Sequence, residues 1–326
     1  MFFMGRATAG GISPAGLLFF ILAALAAAAQ TPPQEEPPVF RSTAALVSVD
    51  VLVTLKGRPL AGLRAEDFIV RDEGAPRPVE AFGDDAAPLQ LVLVLDVSGS
   101  MGRMLRSAAE TGRKALAQFS PQDEVAVFFF ARRARQQVEF TRDKSLASRA
   151  LKEAAVESGL GAGTSLNEAL MEAASYLGQQ PSFAGRRALI VLTDNGGVHY
   201  QLPDETVIRA ISGVNAVVNA IVPEGVRPPR LPAGEDVNPD FTPANIFHIA
   251  GATGGEVLRS NDAGRRLSEL IERIRLRYNL AIRPASGPAG TFRRLSVELS
   301  PGARSRYPQA GIRCRAGYYP LPGPPR

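Results

Sequence analysis

Tryptophan is absent from these 326 residues, cysteine occurs once and histidine twice. The single cysteine, Cys314, excludes an internal disulfide, so a folded form must be held by its core alone. The two histidines, His199 and His248, leave little room for hydrolytic chemistry. A serine hydrolase needs a base beside its nucleophile, and Ser98 lacks the G-x-S-x-G elbow, with Asp96 standing two residues before it. His248 lies in an apolar helical stretch and reads as a packed or half-buried residue. "GATGG" (251–255) lacks the Lys-Ser/Thr of a phosphate loop and reads as the end of a helix. The base and the water-activating arrangement of a metal-dependent hydrolase are missing too, which leaves that reading a distant alternative. The expectation is a protein that is not an enzyme.

Charge of one sign is not concentrated either. The formal net charge is +5 and the pI about 9.6, but the arginines are scattered and carry no aromatic stacking pattern. They read as solvated faces, and no nucleic-acid partner is expected. Long polar low-complexity tracts are lacking, and 45% of the residues are hydrophobic, a globular composition with room for about two domains.

No apolar run reaches the 18 residues of a spanning helix. The N-terminus offers a shorter one: Arg6, then "AGLLFFILAALAAAA" (15–29), then small residues before Gln30. That is the pattern of a signal peptide over residues 1–29, so the protein is expected to be exported, periplasmic or secreted. A membrane contact would arise only if this segment stayed uncleaved. Residues 30–38, "QTPPQEEPP", form a Pro-rich linker.

Three regions follow. In residues 39–84, "ALVSVDVLVT" places valines at 47, 49, 51 and 53, the period of a half-buried strand, and "DFIVRD" and "VEAF" add short strands between turns. Residues 87–277 alternate continuous apolar strands with amphipathic helices. Repeated βα units imply an α/β fold with a doubly wound, mostly parallel sheet covered on both faces. Residues 278–326 return to strands, "YNLAIRP", "TFRRLSVELS" and "GIRCRAGYYP" (311–320). Neither β flank can bury a face alone, so the two are expected to pack together as one small sandwich-like unit.

"LQLVLVLDVSGSMG" (89–102) raises the functional question, because a buried strand ends there in one carboxylate and two hydroxyls. In an open α/β sheet, ligands bind at the carboxyl ends of strands. Asp96 stands at one such end and Asp194 of "VLTD" at another, with Thr164 in the glycine-rich "GAGTSLNEAL" between them. Asp96, Ser98, Ser100, Thr164 and Asp194 offer only oxygen, which suits Mg²⁺, Mn²⁺ or Ca²⁺ and not zinc. The plainer alternative is that the hydroxyls cap helices.

"DVSGSM", a glycine-preceded threonine and "LTD" after an apolar strand together resemble the von Willebrand factor type A domain and its metal-ion-dependent adhesion site. The resemblance covers about 89–277. It implies Asp96, Ser98 and Ser100 as the first-loop ligands, Thr164 as the second-loop ligand and Asp194 as the third, direct or through water. It also implies that an acidic residue of a partner protein completes the coordination. The flanks are similar to those of a bacterial set of exported relatives. Met101, Gly163, Asn195 and His199 are expected on the partner-binding rim. The function expected is metal-dependent protein binding, as an adhesion or scaffold module. A metal-independent scaffold in an envelope assembly is the alternative.

Overall fold

Leucines at 89, 91, 93 and 95 and valines at 92 and 94 divide the strand Leu89–Asp96 between two cores, one on each face of a sheet. That division is what a period of two dictates when both faces are covered. The computed structural model describes residues 46–83, 87–197, 202–229, 244–285 and 287–320. The expected signal peptide and linker lie outside them, as do His199 and most of the Pro-rich stretch 224–241.

The chain first forms β1 (Val47–Leu55), β2 (Arg58–Pro59), β3 (Phe68–Asp72), β4 (Ala75–Arg77) and β5 (Val79–Gly83). Next come β6 (Leu89–Asp96), α1 (Gly102–Leu116), β7 (Glu124–Phe130), β8 (Ala134–Thr141), α2 (Lys144–Ala154) and α3 (Leu166–Gln179). Then follow β9 (Arg186–Leu192), α4 (Asp204–Gly213), β10 (Ala216–Val222), α5 (Ile246–Thr253), β11 (Val257–Arg259) and α6 (Ala263–Arg275). β12 (Tyr278–Ile282), β13 (Arg293–Leu299), α7 (Pro301–Arg306), β14 (Gly311–Arg313) and β15 (Gly317–Tyr318) complete it.

The central sheet has the order β11-β10-β9-β6-β7-β8. Its first five strands in that order are parallel, and β8 is an antiparallel edge against β7. Helices α1, α2 and α6 cover one face and α3, α4 and α5 the other, so the fold is the doubly wound α/β sheet expected. From β6 the chain winds outward to β7 and β8, then returns to β9 and winds the opposite way. The switch point therefore lies between β6 and β9, and their carboxyl ends open a crevice.

The two flanks interleave. β1 pairs antiparallel with β12 and with β14, and β3 pairs with β13. Val49, Val51 and Val53 share a core with Phe68, Tyr278, Leu280 and Leu295, residues from both ends of the chain. Phe68, Phe82 and Tyr278 pack ring to ring there.

Two features depart from the sequence reading. Residues 311–320 read as one strand but form two, because Cys314–Ala316 turn toward α5, where the Ala316 N–H donates to the Ala252 carbonyl at 3.1 Å. Gly254, which ends α5 at φ +85°, permits this approach, since a Cβ there would stand 2.5 Å from the Arg315 nitrogen. Helix α7 was not foreseen, although Pro301 at its start and the Ser300 hydroxyl, which accepts from the Ala303 N–H, are ordinary start signals.

Candidate metal centre at the switch point

Asp96 ends β6 with no exposed surface. Its Oδ1 accepts from the Ser98 N–H at 3.0 Å and its Oδ2 from the Thr193 hydroxyl at 2.8 Å. Burial pushes its pKa up to about 6 against the pull of these bonds, and the charge of nearby Asp194 adds to the rise. The next turn brings Ser98 and Ser100 together with their Oγ atoms 3.2 Å apart. Ser98 precedes the short 3-10 turn Gly99–Met101, yet its side chain makes no capping bond there. The capping alternative therefore leaves these two hydroxyls unexplained.

The second loop carries Thr164, half-buried, behind two glycines in left-handed backbone, Gly161 at φ +83° and Gly163 at φ +122°. Ser165 anchors this loop: its N–H donates to the Ala131 carbonyl at 2.8 Å and its hydroxyl to the Arg132 carbonyl at 3.1 Å. Thr164 also abuts the third loop. A Cβ on Gly197 would stand 1.9 Å from the Thr164 carbonyl oxygen, so the two backbones touch at a point where only glycine fits.

In the third loop, Asp194 is half-buried and its Oδ1 accepts from the Gly196 N–H at 3.0 Å. Thr193, overlooked in the sequence, is the connector: its hydroxyl donates to Asp96 and accepts from the Asn195 N–H at 3.0 Å. Its signal was its place between an apolar strand and Asp194.

The rim expectation needs correction at two positions. Met101 is 1% exposed and packs in the core beneath the turn, because its helical neighbours carry it inward. Asn195, at φ +57°, is nearly buried and its Oδ1 accepts from the Ile246 N–H at 2.8 Å, which fixes the start of α5. Gly163 is exposed beside the Arg132 side chain. The His248 side chain is 47% exposed and lies 3.5 Å from Asp204.

The donor set suits a hard divalent cation. The hydrogen-bond donors to Asp96 are neutral and the charge acting on it is negative, so this buried carboxylate is short of positive charge. Two carboxylates and three hydroxyls supply only oxygen. Among the described residues there is no group of three or more His, Cys, Asp or Glu that could hold a metal ion, so any site here depends on the hydroxyls.

Fold and loops together define a doubly wound α/β domain with an oxygen-rich crevice at its switch point. Residues 91–197 match the von Willebrand factor type A domain family. Comparison with curated proteins finds no match. Among solved structures, an aerotolerance-related membrane protein from Bacteroides fragilis NCTC 9343, with multiple mutations to serines, is 20% identical. Its TM-score is 0.44, over 57% of this chain and 98% of that one. A von Willebrand factor type A protein from Catenulispora acidiphila is 17% identical with a TM-score of 0.43, over 84% of this chain and 73% of that one. Proximal thread matrix protein 1 from the mussel byssus, with a zinc-occupied MIDAS motif, is 16% identical with a TM-score of 0.43. That match covers 64% of this chain and 50% of that one.

Proposed function

We propose that this protein is an exported adhesion or scaffold module that captures an Asp or Glu side chain of a partner protein through a divalent cation. A type A domain fits a protein-interaction module. The cation, Mg²⁺ or else Mn²⁺ or Ca²⁺, would be held by Asp96, Ser98, Ser100, Thr164 and Asp194, and would supply Lewis acidity toward the incoming carboxylate. The observation that carries this reading is the pair of Ser98 and Ser100 hydroxyls turned to each other above a buried, charge-starved Asp96.

The chain's own residues prepare the site. Thr193 and the Ser98 N–H orient the Asp96 carboxylate, the Gly196 N–H orients Asp194, and the contact of Gly197 with Thr164 fixes the second loop against the third. Because the hydroxyls are neutral, the cation would keep positive charge for the partner's acid.

Thermal unfolding of the purified protein with Mg²⁺, Mn²⁺, Ca²⁺ or EDTA, beside Asp96→Ala, tests the reading. A cation at 100 times its dissociation constant stabilises by about 2.7 kcal/mol. Stabilisation of the wild type alone is the expected result, and EDTA should then abolish capture of an acidic partner. If neither protein responds at millimolar cation, the domain is a metal-independent scaffold.

A further inference from the structure

Helices α1 and α2 pack closest where Gly112 admits the Leu151 side chain; a Cβ at that glycine would stand 2.5 Å from Leu151 Cδ1. Toward the end of α1 and the start of α2, a groove of about 470 Å³ opens between them. Leu116 and Ala117 give it an apolar side, and Ser145 and Ser148 add hydroxyls. Its charged side chains are Arg113, Lys144, Arg149 and Lys152, and among the described residues no Asp or Glu lines it.

Most of the donors on these cations are free. Lys144 gives one N–H to the Phe119 carbonyl at 2.5 Å. Arg113, Arg149 and Lys152 make no side-chain hydrogen bond or ion pair among the described residues. Elsewhere in the fold, Arg135, Arg142, Arg273 and Arg306 each stand against a carboxylate. The acids near the groove are committed or lie outside it. Asp143 caps α2, its Oδ1 accepting from the Ser145 N–H at 2.9 Å, and it answers part of the Arg149 charge. Glu153 accepts from Gln137 of β8 at 2.8 Å. Glu110, one turn before Arg113 on α1, is exposed outside the lining.

We propose that this groove docks an acidic, extended segment of a protein partner. Charge complementarity sets the sign, and spacing sets the form. Lys144, Ser148 and Lys152 stand four residues apart on one face of α2, so successive members are about 6 Å apart along the helix. Same-side residues of an extended chain repeat every 6.6 Å or so, and carboxylates at alternate positions therefore meet this row in turn. Arg113 faces them from α1 and can take a carboxylate in two-point contact. A single small oxyanion would span only one end of a row about 12 Å long. A flat anionic lipid surface would meet the rim and leave Leu116, 1% exposed, uncovered. The groove requires no cation and lies at the far end of α1 from the first loop, about 20 Å away along the helix.

The test is fluorescence anisotropy of a fluorescein-labelled Glu-Thr-Glu-Thr-Glu peptide titrated with the purified protein, beside the matching Gln-Thr-Gln-Thr-Gln peptide. Both are run in EDTA at matched ionic strength, so that no carboxylate seats on a cation at Asp96 and the outcome is independent of that site. The expected result is saturable binding of the glutamate peptide and none of the glutamine one. Reversing two exposed groove charges together, Arg149→Glu with Lys152→Glu, should weaken binding at least about tenfold. The control pair Arg58→Glu with Arg294→Glu changes net charge equally at exposed positions of the flanking strands, and should alter binding less than about twofold. If the groove pair does not fold, Ser148→Trp decides: it fills the groove without removing a charge and should abolish binding. No saturable binding, equal binding of the glutamine peptide, binding that survives in a folded groove variant, or equal loss in the control pair overturns the proposal. So does sedimentation with phosphatidylglycerol vesicles in the absence of peptide binding, which would make the groove a membrane contact.

Discussion

Thr193 Oγ1 donates to Asp96 Oδ2 at 2.8 Å and accepts from the Asn195 N–H at 3.0 Å, with its side chain wholly buried. One hydroxyl thus joins the ends of two neighbouring parallel strands and holds the turn on which Asp194 stands. Thr193→Val keeps the shape but strips both bonds, leaving a buried carboxylate and a buried N–H short of partners. A loss of about 1–3 kcal/mol in denaturant unfolding is expected, together with a weaker response to cation. Thr193→Ser should recover most of both.

Gly197→Ala checks whether the contact between the second and third loops matters for the candidate centre. The new Cβ would overlap the Thr164 carbonyl, a backbone atom that cannot swing aside. We expect a loss of about 1–3 kcal/mol and a reduced thermal shift on adding Mg²⁺. An unchanged shift would show that Thr164 does not contribute to cation binding.

Gly264→Ala separates packing from helix propensity. In an exposed helix the change stabilises by up to about 1 kcal/mol. Here a Cβ would fall 1.4 Å from Thr111 Oγ1 and 2.8 Å from the Ser107 carbonyl, where α6 lies on α1. The melting temperature should fall instead of rise.

Asp72 and Tyr318 set the pH limits of the flanking β unit. Burial pushes the Asp72 carboxyl up, but Arg293 at 2.9 Å, the Ala285 N–H at 3.1 Å and the Tyr318 hydroxyl at 3.0 Å outweigh it and hold it below 3.8. Its stabilisation is complete above that value and is lost as pH falls through the lower folded one. Tyr318 moves the other way: burial and its bond to Asp72 push it from 10.0 up to about 12. Its contribution is complete below 10 and fades as pH rises toward 12. A pH series of unfolding midpoints should show both edges, and Asp72→Asn should flatten the acid one.

Much of this was legible because it follows from periodicity. The alternation at Val47–Val53 and the continuous run at Leu89–Leu95 announced a one-sided and a two-sided strand, and the loop residues followed from where such strands end. What escaped was long-range. Nothing local says that Asn195 spends its side chain on Ile246, 51 positions later, or that residues 314–316 leave the sheet for the end of α5. Met101 was misplaced because being next to Ser100 in sequence does not say which way a side chain turns once the chain has begun to coil.

The interleaving of the flanks constrains the order in which the molecule assembles. Val47 pairs with Ile282, and Leu52 with Arg313, so β1 waits for strands more than two hundred residues downstream. A chain emerging from its N-terminus can wind the α/β domain while the first strand is paired only with the two-residue β2. Closure over so long a loop is slow. Until residue 313 arrives, the valine face of β1 is exposed, and that interval is when the nascent chain is most open to aggregation or chaperone capture.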